Sequence, residues 1–261
     1  MKLATWNVNS LKVRLEQVLD WFEQQSVDVL ALQETKMTDD QFPVESFVSA
    51  GYHVSFTGQK TYNGVAIISR TPLSDVEIAI PGYDDPQRRV IAASVAGIRL
   101  INLYVPNGAA VGTDKYDYKL TWLSHVQKYV ANQLKLYPQL AVVGDFNIAP
   151  EDLDVHDPVA WEGAVLVSPA ERTEFQSLLN LGLVDSFRSF FPAVQDYSWW
   201  DYRAASFRRN LGMRIDHILL SQPLMAVCTD MLIDKQPRQH ERPSDHAPVM
   251  VNIDTPRAMS K

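Results

Sequence analysis

The segment VVGDFNIAP, residues 142–150, joins a short apolar run to a carboxylate and a carboxamide. The run over residues 140–143 is typical of a buried strand, and Gly144 allows the chain to turn without steric cost. If the backbone stays extended, Asp145 and Asn147 point to the same side of the strand, as a possible proton acceptor beside a hydrogen-bond donor. The alternative is a turn in which both side chains cap local backbone groups. This segment alone leaves both interpretations open.

The composition predicts one globular domain over residues 1–261. The chain is 46% hydrophobic and 21% charged, and its 15 prolines and 11 glycines are spread out without forming a linker. Its one cysteine, Cys228, excludes an internal disulfide. The first residues, MKLATWNVNS, carry no signal-peptide pattern, and no apolar run approaches the roughly 20 residues of a membrane span. We therefore expect a bacterial-type protein of the reducing cytoplasm that does not associate with membranes.

The charge pattern does not decide whether the protein binds nucleic acid. A net charge of −7 argues weakly against it, because phosphate contacts need Lys and Arg. However, a site that collects carboxylates for a metal would itself be acidic. The basic residues also cluster, at Arg88-Arg89, at Lys115 with Lys119, and between residues 203 and 214. On charge alone, phosphate contacts and solvated surface charges are equally plausible.

Hydrophobic periodicity predicts an α/β fold. A strand over 3–7, a helix over 11–24 and a strand over 27–33 form a crossover unit, and Glu34 follows its second strand. Further strands are predicted over 52–56, 64–69, 76–80, 89–95, 98–105, 140–143, 197–202, 213–220, 227–233 and 248–253, and further helices over 114–136 and 171–181. These roughly ten strands mix hairpins with crossovers, which favours two packed sheets with helices outside over a doubly wound parallel sheet.

Polar residues stand at the ends of five predicted strands. The segments are WNVN at 6–9, QE at 33–34, GDFN at 144–147, RIDH at 214–217 and SDH at 244–246. Five such segments in one domain predict convergence on a single edge. Carboxylates with carboxamides suit a hard cation such as Mg²⁺. The sequence has no zinc pattern, phosphate loop, dinucleotide motif or serine-hydrolase elbow. What remains is metal-assisted attack of water on a phosphoester.

The order of these motifs resembles the exonuclease III family of DNA-repair nucleases, within the endonuclease/exonuclease/phosphatase superfamily. The matching segments are WNVNSL at 6–11, LQETK at 32–36, GQKTYNGVAIISR at 58–70, INLYVPNG at 101–108, GDFNIAP at 144–150, YSWWDYR at 197–203, LGMRIDHILLS at 211–221 and ERPSDHAPV at 241–249. The resemblance implies a four-layered α/β sandwich, in which helices flank two packed mixed β-sheets. It also implies a Mg²⁺-dependent enzyme, with Mn²⁺ as a possible substitute. That enzyme would incise double-stranded DNA 5′ to abasic sites, trim blocked 3′ ends and digest 3′→5′.

The resemblance assigns the metal and the attacking water to particular residues. Glu34 would bind the metal, with Asn7 and Asp245 close by as ligands or as supports for the ligands. Asp145 would orient or deprotonate the water. Asn147 would hydrogen-bond the nucleophile or the scissile phosphate.

The same resemblance assigns the phosphate contacts. His246 would bind a phosphate oxygen, and Asp216 would fix its tautomer and favour its charged form. Tyr104 would donate to the phosphate or steady the leaving group. Asn9 and Asn107 would be supporting contacts.

Substrate contacts are predicted around this centre. Trp199, Met213 and Ile215 would surround a small apolar pocket for a flipped-out, base-free sugar. Tyr62 and Asn63 would approach the DNA backbone. Further candidates for phosphate contacts, which no motif places, are Arg88, Lys115, Arg203 and Arg208.

One segment departs from the family pattern and keeps more than one function open. Residues 156–168 match poorly where loops shape the rim of the pocket, and residues 165–167 are bulky. We expect such bulk to hinder an internal abasic nucleotide, which would give mainly a 3′-end exonuclease and phosphodiesterase with little abasic endonuclease activity. The sequence is also compatible with a same-fold phosphodiesterase acting on RNA or phospholipid headgroups, and with a DNA-binding scaffold without catalysis. Since no heptad pattern occurs, we expect a monomer.

Overall fold

Two six-stranded sheets pack against each other in the computed structural model, which describes residues 1–254. In chain order the strands are β1 (Lys2–Asn7), β2 (Val29–Gln33), β3 (His53–Thr57), β4 (Val65–Ser69), β5 (Ser74–Glu77), β6 (Val90–Val95), β7 (Ile98–Tyr104), β8 (Leu140–Asp145), β9 (Leu183–Asp185), β10 (Trp199–Trp200), β11 (Gly212–Met213), β12 (Asp216–Ser221), β13 (Cys228–Ile233) and β14 (Val249–Ile253). The first sheet has the order β13-β14-β1-β2-β4-β3, the second has the order β5-β6-β7-β8-β12-β9, and β10 pairs with β11.

Helices cover the outer faces of both sheets, and the last two, which are short, pack against the core between the sheets. They are α1 (Leu11–Gln24), α2 (Val44–Ser49), α3 (Asp114–Leu136), α4 (Pro169–Leu179), α5 (Ser186–Phe190) and α6 (Gln222–Met225). Trp21 and Phe22 of α1 pack on the first sheet, while Trp122 of α3 and Phe175 of α4 pack on the second. A third apolar core fills the space between the sheets. The predicted four-layered α/β sandwich is confirmed. No helix of residues 1–254 combines the length and apolar character that crossing a membrane requires.

Two parallel strand pairs place the functional edge. β1 runs parallel to β2, and β7 runs parallel to β8, because α1 and α3 connect them as crossovers. The carboxyl ends of each pair therefore lie side by side, with Asn7 opposite Gln33 and Tyr104 opposite Asp145. β12 joins β8 in the antiparallel sense and begins with Asp216 opposite Asp145. Both sheets thus present polar residues at the same edge.

A buried polar clamp aligns the two sheets just behind this edge. The side-chain amide of Gln33 donates to the Thr5 hydroxyl at 2.8 Å and to the Asn102 amide oxygen at 2.7 Å. Asn102 in turn donates to two backbone carbonyls of the opposite sheet at 2.9 Å. Buried amides must be bonded to avoid a desolvation cost, so they specify one relative position. Glu34 follows Gln33, and Tyr104 lies two residues after Asn102, so the clamp sets their separation.

Several predicted strands differ from those observed. The predicted strand over 76–80 is β5, which begins earlier and ends at Glu77, and the aromatic strand over 197–202 is reduced to β10. The predicted strand over 213–220 divides into β11 and β12, and β9 was not predicted as a strand, so the described residues contain fourteen strands where twelve ranges were predicted. The division has a chemical cause. Arg214 leaves the ladder because its buried guanidinium binds Asp154 and Asp185.

Candidate active site

The five polar strand ends meet at the shared edge of the sheets. The Asn7 amide donates to Glu34 Oε1 and to Asp145 Oδ2, both at 2.9 Å. His246 Nε2 lies 3.8 Å from Asp145 Oδ2. The other nitrogen of His246, Nδ1, lies 2.8 Å from Asp216 Oδ2. One connected group therefore contains residues from all five segments, as the sequence pattern predicted.

The segment from Gly144 to Asn147 combines the two interpretations that its sequence left open. The backbone does not stay extended, because Asn147 has a left-handed φ of 48°. Asp145 Oδ1 caps this turn by accepting the Asn147 backbone N–H at 2.9 Å. Asp145 Oδ2 faces the site, where the Asn147 amide donates to it at 3.3 Å. Gly144 is required here, since a Cβ would clash with the carbonyl oxygen of Leu103 on β7.

Three side chains are close enough to hold a cation. Ligand atoms of Glu34, Asp145 and His246 all lie within 4.8 Å of one another. A protonated imidazole cannot serve as a ligand, so the charge of His246 decides its role. The two carboxylates are oxygen donors of the kind that hard divalent cations prefer. The donor chemistry therefore fits a cation held chiefly by Glu34 and Asp145.

His246 is held in its charged form. Burial opposes the imidazolium, but the carboxylates of Asp216 and Asp145 outweigh it and raise the pKa of His246 to about 10. Burial raises the pKa of Asp145 to about 7, with His246 acting in the opposite direction. The Ser198 hydroxyl donates to Asp216 Oδ2 at 2.7 Å and keeps that carboxylate in place. At neutral pH the site therefore contains a fixed imidazolium that points toward Asp145.

Tyr104 and Lys36 complete the surroundings of Glu34. The Tyr104 hydroxyl donates to Glu34 Oε1 at 2.9 Å. Burial and the neighbouring carboxylates hold the pKa of Tyr104 well above its usual range, so it stays a neutral donor. Lys36 Nζ pairs with Glu34 Oε2 at 2.7 Å and also binds the side-chain oxygen of Asn9. Although burial opposes it, Lys36 and Asn7 keep the pKa of Glu34 below its usual value.

Asp245 occupies a neighbouring position. Its Oδ2 accepts from Trp199 Nε1 at 3.0 Å, and its Oδ1 accepts from the Asn9 amide at 2.9 Å. Burial opposes its charge, but His246, Trp199 and Asn9 lower the pKa of Asp245. In the structure Asp245 anchors the Trp199 ring beside the charged group. Its role as a metal ligand stays a prediction, as does that of Asn7, whose amide nitrogen faces both carboxylates.

A cavity of about 400 Å³ opens above these residues. One apolar wall consists of Trp199 and Ile215, as predicted for the pocket. Met213 differs, because it is fully buried beneath the cavity, where it packs in the same apolar cluster. The segment that departs from the family pattern also lines the cavity and packs in the same apolar cluster as Trp199 and Ile215. Its lining residues are Trp161, Val165 and Leu166.

A second cavity of about 510 Å³ lies alongside and shares Tyr104 and Asn107 with the first. The predicted contacts Tyr62 and Asn63 line it, together with Lys115. The Asn63 amide donates to Gln59 of its own loop at 3.0 Å and to Gln87 of the loop before β6 at 3.2 Å, whereas Tyr62 is exposed.

The predicted basic contacts lie in different places. Arg203 lines the first cavity and pairs with Asp201, while Arg208 is exposed and lines neither cavity. Sequence reasoning missed Lys36, Ser198 and Trp161. Lys36 ends the motif LQETK, and Ser198 lies within YSWWDYR, so both stood in segments already singled out. Trp161 had no signal of its own, because its segment lacks a family pattern.

A two-sheet sandwich with a carboxylate and imidazolium site at one edge defines a class of phosphoester hydrolases. The chain belongs to the Endonuclease/Exonuclease/phosphatase family, whose sequence model matches residues 4–246.

Three relatives match nearly the whole chain. Exodeoxyribonuclease III of Haemophilus influenzae is 36% identical over 262 residues, which cover 95% of this chain and 98% of that protein. The 3′ phosphatase NExo from Neisseria, solved with a product DNA hairpin, is 47% identical with a TM-score of 0.97, covering 98% of this chain and 100% of that one. An AP endonuclease from Archaeoglobus fulgidus is 39% identical with a TM-score of 0.95 and the same coverage. The resemblance to the exonuclease III family and the prediction of a hydrolase of that type are confirmed.

Proposed function

We propose that this protein is a Mg²⁺-dependent DNA-repair phosphodiesterase that acts on double-stranded DNA at abasic sites and 3′ ends. The observation that carries the proposal is the charged group at the floor of the cavity. There, the carboxylates of Glu34 and Asp145 lie beside the His246 imidazolium and the Tyr104 hydroxyl. The three relatives include an exodeoxyribonuclease, a 3′ phosphatase and an AP endonuclease, so phosphoester cleavage in DNA is the chemistry they share.

The site offers fixed donors for a phosphate. The imidazolium of His246, the hydroxyl of Tyr104 and the amide of Asn147 can surround a phosphoryl group whose negative charge grows during attack. Glu34 would be the chief ligand of Mg²⁺, which when bound supplies positive charge to a phosphoryl oxygen and lowers the pKa of bound water. Because the donors are held by other side chains, they need no reorganisation as the charge develops.

Asp145 is suited to accept the proton of the attacking water. Burial raises its pKa to about 7, which brings its basicity close to the operating pH. Asn147 stands beside it and can orient the same water through its amide, which lies 3.3 Å from Asp145 Oδ2. Tyr104 remains neutral and can donate to the phosphate or steady the leaving oxygen.

The two adjoining cavities suggest the path of the DNA. The second cavity continues from the active site past Asn107 toward Tyr62 and Lys115. Arg203 stands at the first cavity on the opposite side. These donors can bind phosphates without reading bases. We also retain a single catalytic domain, a monomeric state and a cytoplasmic location as predictions.

The rim of the first cavity supports a second candidate function, in which the enzyme acts mainly on 3′ ends and less on internal abasic sites. Trp161, Val165 and Leu166 form a bulky apolar wall together with Trp199 and Ile215. Such a wall narrows the space for a nucleotide that continues into DNA on both sides, whereas a strand end needs less room. Among the three relatives, the one with the highest identity, 47%, is a 3′ phosphatase.

One panel of substrates tests the proposed function. Duplexes with an internal abasic site, a 3′-phosphate or a recessed 3′ end are incubated with Mg²⁺, Mn²⁺ or chelator, beside RNA and a phosphoinositide. We expect cleavage of the DNA substrates alone and a loss of at least about 100-fold on chelation, because the metal's charge contributes several kcal/mol. Chelator-resistant cleavage would refute the metal mechanism, and preferential hydrolysis of RNA or phosphoinositide would refute the DNA assignment.

Replacing Val165 by alanine tests the role of the rim. The substitution widens the cavity by two methyl groups, so we expect abasic incision to gain roughly 10- to 100-fold relative to 3′-phosphate removal, because one such group in a pocket is typically worth about 1–3 kcal/mol. Val159→Ala is the matched control, since Val159 belongs to the same segment but is 82% exposed. An unchanged ratio of the two activities in Val165→Ala would argue against control by the rim.

A further inference from the structure

A fully buried ion pair lies directly beneath the candidate active site. Lys119 of α3 and Glu171 of α4 form it, and both side chains are 0% exposed. Neither residue lines the cavity that holds the charged group. The pair therefore cannot touch a substrate, yet it connects to backbone that carries the site.

All three donors of the Lys119 ammonium are used. One binds the Glu171 carboxylate, one the backbone carbonyl of Asn147 at 2.6 Å, and one the backbone carbonyl of Asn107 at 3.2 Å. Burial lowers the pKa of Lys119, and Glu171 opposes this effect. Buried ion pairs often stabilise a fold no better than apolar residues of similar volume, so stability alone does not account for this one.

The two carbonyls belong to residues whose side chains also touch each other. The Asn107 amide donates to Asn147 Oδ1 at 3.1 Å, at the floor of the first cavity. The left-handed φ of 48° at Asn147 is a conformation that other contacts must maintain. The ammonium thus fixes the spacing between the loop after β7 and the turn after β8.

Glu171 extends the same network to the rim. It accepts the backbone N–H of Leu166 at 3.1 Å, and the N–H and hydroxyl of Ser168 at 3.2 Å and 2.6 Å. Gly108 packs against both Lys119 and Val165, since a Cβ at this position would lie 3.1 Å from Lys119 Cδ and 3.3 Å from Val165 Cγ2. Two site loops and the rim are therefore joined through one buried pair.

We propose that Lys119 is a positioning residue that holds Asn147 in its reactive orientation and, through Glu171, ties it to the pocket rim. The proposal rests on the role given to Asn147 under the proposed function. It requires that removing the Lys119 ammonium lower kcat by displacing Asn147, so the effect should disappear when Asn147 is already absent.

A double-mutant cycle isolates that transmission. Lys119→Met, Asn147→Ala and the double variant are compared on a duplex carrying a recessed 3′-phosphate, with Mg²⁺. We expect Lys119→Met to lower kcat by about 10- to 100-fold with KM within about threefold, because misplaced groups cost rate more than binding. In the Asn147→Ala background the same substitution is expected to cost less than about threefold.

Glu171→Gln separates positioning from the burial of charge. This variant keeps the lysine nitrogen, which can still donate to its two carbonyl partners when it is neutral, so we expect a smaller loss of kcat than in Lys119→Met. Lys119→Met leaves the Glu171 carboxylate buried without a partner, and thermal melting shows whether the variant still folds. If it does not fold, the combined variant Lys119→Met with Glu171→Gln takes its place, both with Asn147 and with Asn147→Ala. Equal losses with and without Asn147, equal losses in Glu171→Gln and Lys119→Met, or a normal kcat without the ammonium would each overturn the proposal. A normal kcat in Asn147→Ala would instead overturn the role of Asn147 in the proposed function.

Discussion

Replacing Asp145 by asparagine is expected to lower turnover by at least about 1,000-fold, since it removes the proton acceptor for the attacking water. Asp145 Oδ2 receives amide donors from Asn7 at 2.9 Å and from Asn147 at 3.3 Å, and it faces the His246 imidazolium. An asparagine lacks the negative charge that attracts these donors, and in one of its two orientations it also turns its own N–H₂ group against them. Single-turnover cleavage of a duplex with a 3′-phosphate measures the effect directly.

DNA binding is expected to survive this substitution within about threefold, because removing a negative charge does not weaken attraction to phosphate. Asp152→Asn is the matched control. Asp152 lies further along the same loop and is largely exposed, so its turnover should stay within about twofold of the original. Turnover of Asp145→Asn within about tenfold of the original protein would contradict the role proposed for the carboxylate.

The surroundings of Asp145 show which features of the fold could be predicted from the sequence. The apolar run before Gly144 predicted a strand. A helix between two such runs predicted a crossover, and the units β1-α1-β2 and β7-α3-β8 have that arrangement. Local pattern could not show that β12 pairs with β8 and brings Asp216 opposite Asp145. That pairing depends on how whole strands pack in a sheet, so neither the local pattern nor the motif resemblance predicted it.

Errors arose where tertiary bonds override local preference. Residues 213–220 read as one strand, but the buried guanidinium of Arg214 binds two aspartates and interrupts the ladder. Met213 was placed in the pocket on type and motif, whereas β11 turns it into the apolar cluster below. In both cases the sequence contained the residue but not the partner that fixes its direction.

Residues that act through others were the hardest to predict. Asp145, His246 and Glu34 carry side chains whose chemistry suggests a site, and the structure brings them together. Lys119 carries an equally reactive group, but its position on α3 suggested only a basic surface cluster. Its importance depends on two backbone carbonyls, which no side-chain pattern encodes.

Replacing Asp216 by asparagine is expected to lower kcat by about 100- to 1,000-fold, the usual cost of losing one fixed charge-stabilising donor, because His246 loses the carboxylate that holds its positive charge. Asp216 accepts from His246 Nδ1 at 2.8 Å and from the Ser198 hydroxyl at 2.7 Å. An amide at this position can donate to Nδ1 of a neutral imidazole, which keeps the proton on Nε2 but removes the positive charge of His246. Ser198 would then keep the amide in place, so the geometry survives while the charge is lost.

The pH dependence distinguishes this loss of charge from general damage. The carboxylates of Asp216 and Asp145 raise the pKa of His246 to about 10 against the effect of burial, so the original protein keeps its imidazolium through neutral pH. Without the Asp216 carboxylate, the effect of burial on the imidazolium is less strongly opposed, so the pKa of His246 falls. The variant therefore loses its cation at a lower pH, and its deficit in kcat should widen as pH rises from about 6 to 9. A deficit that stays constant over that range would show that Asp216 does not act by holding the charge of His246, because the fraction of protonated His246 would then be the same in both proteins.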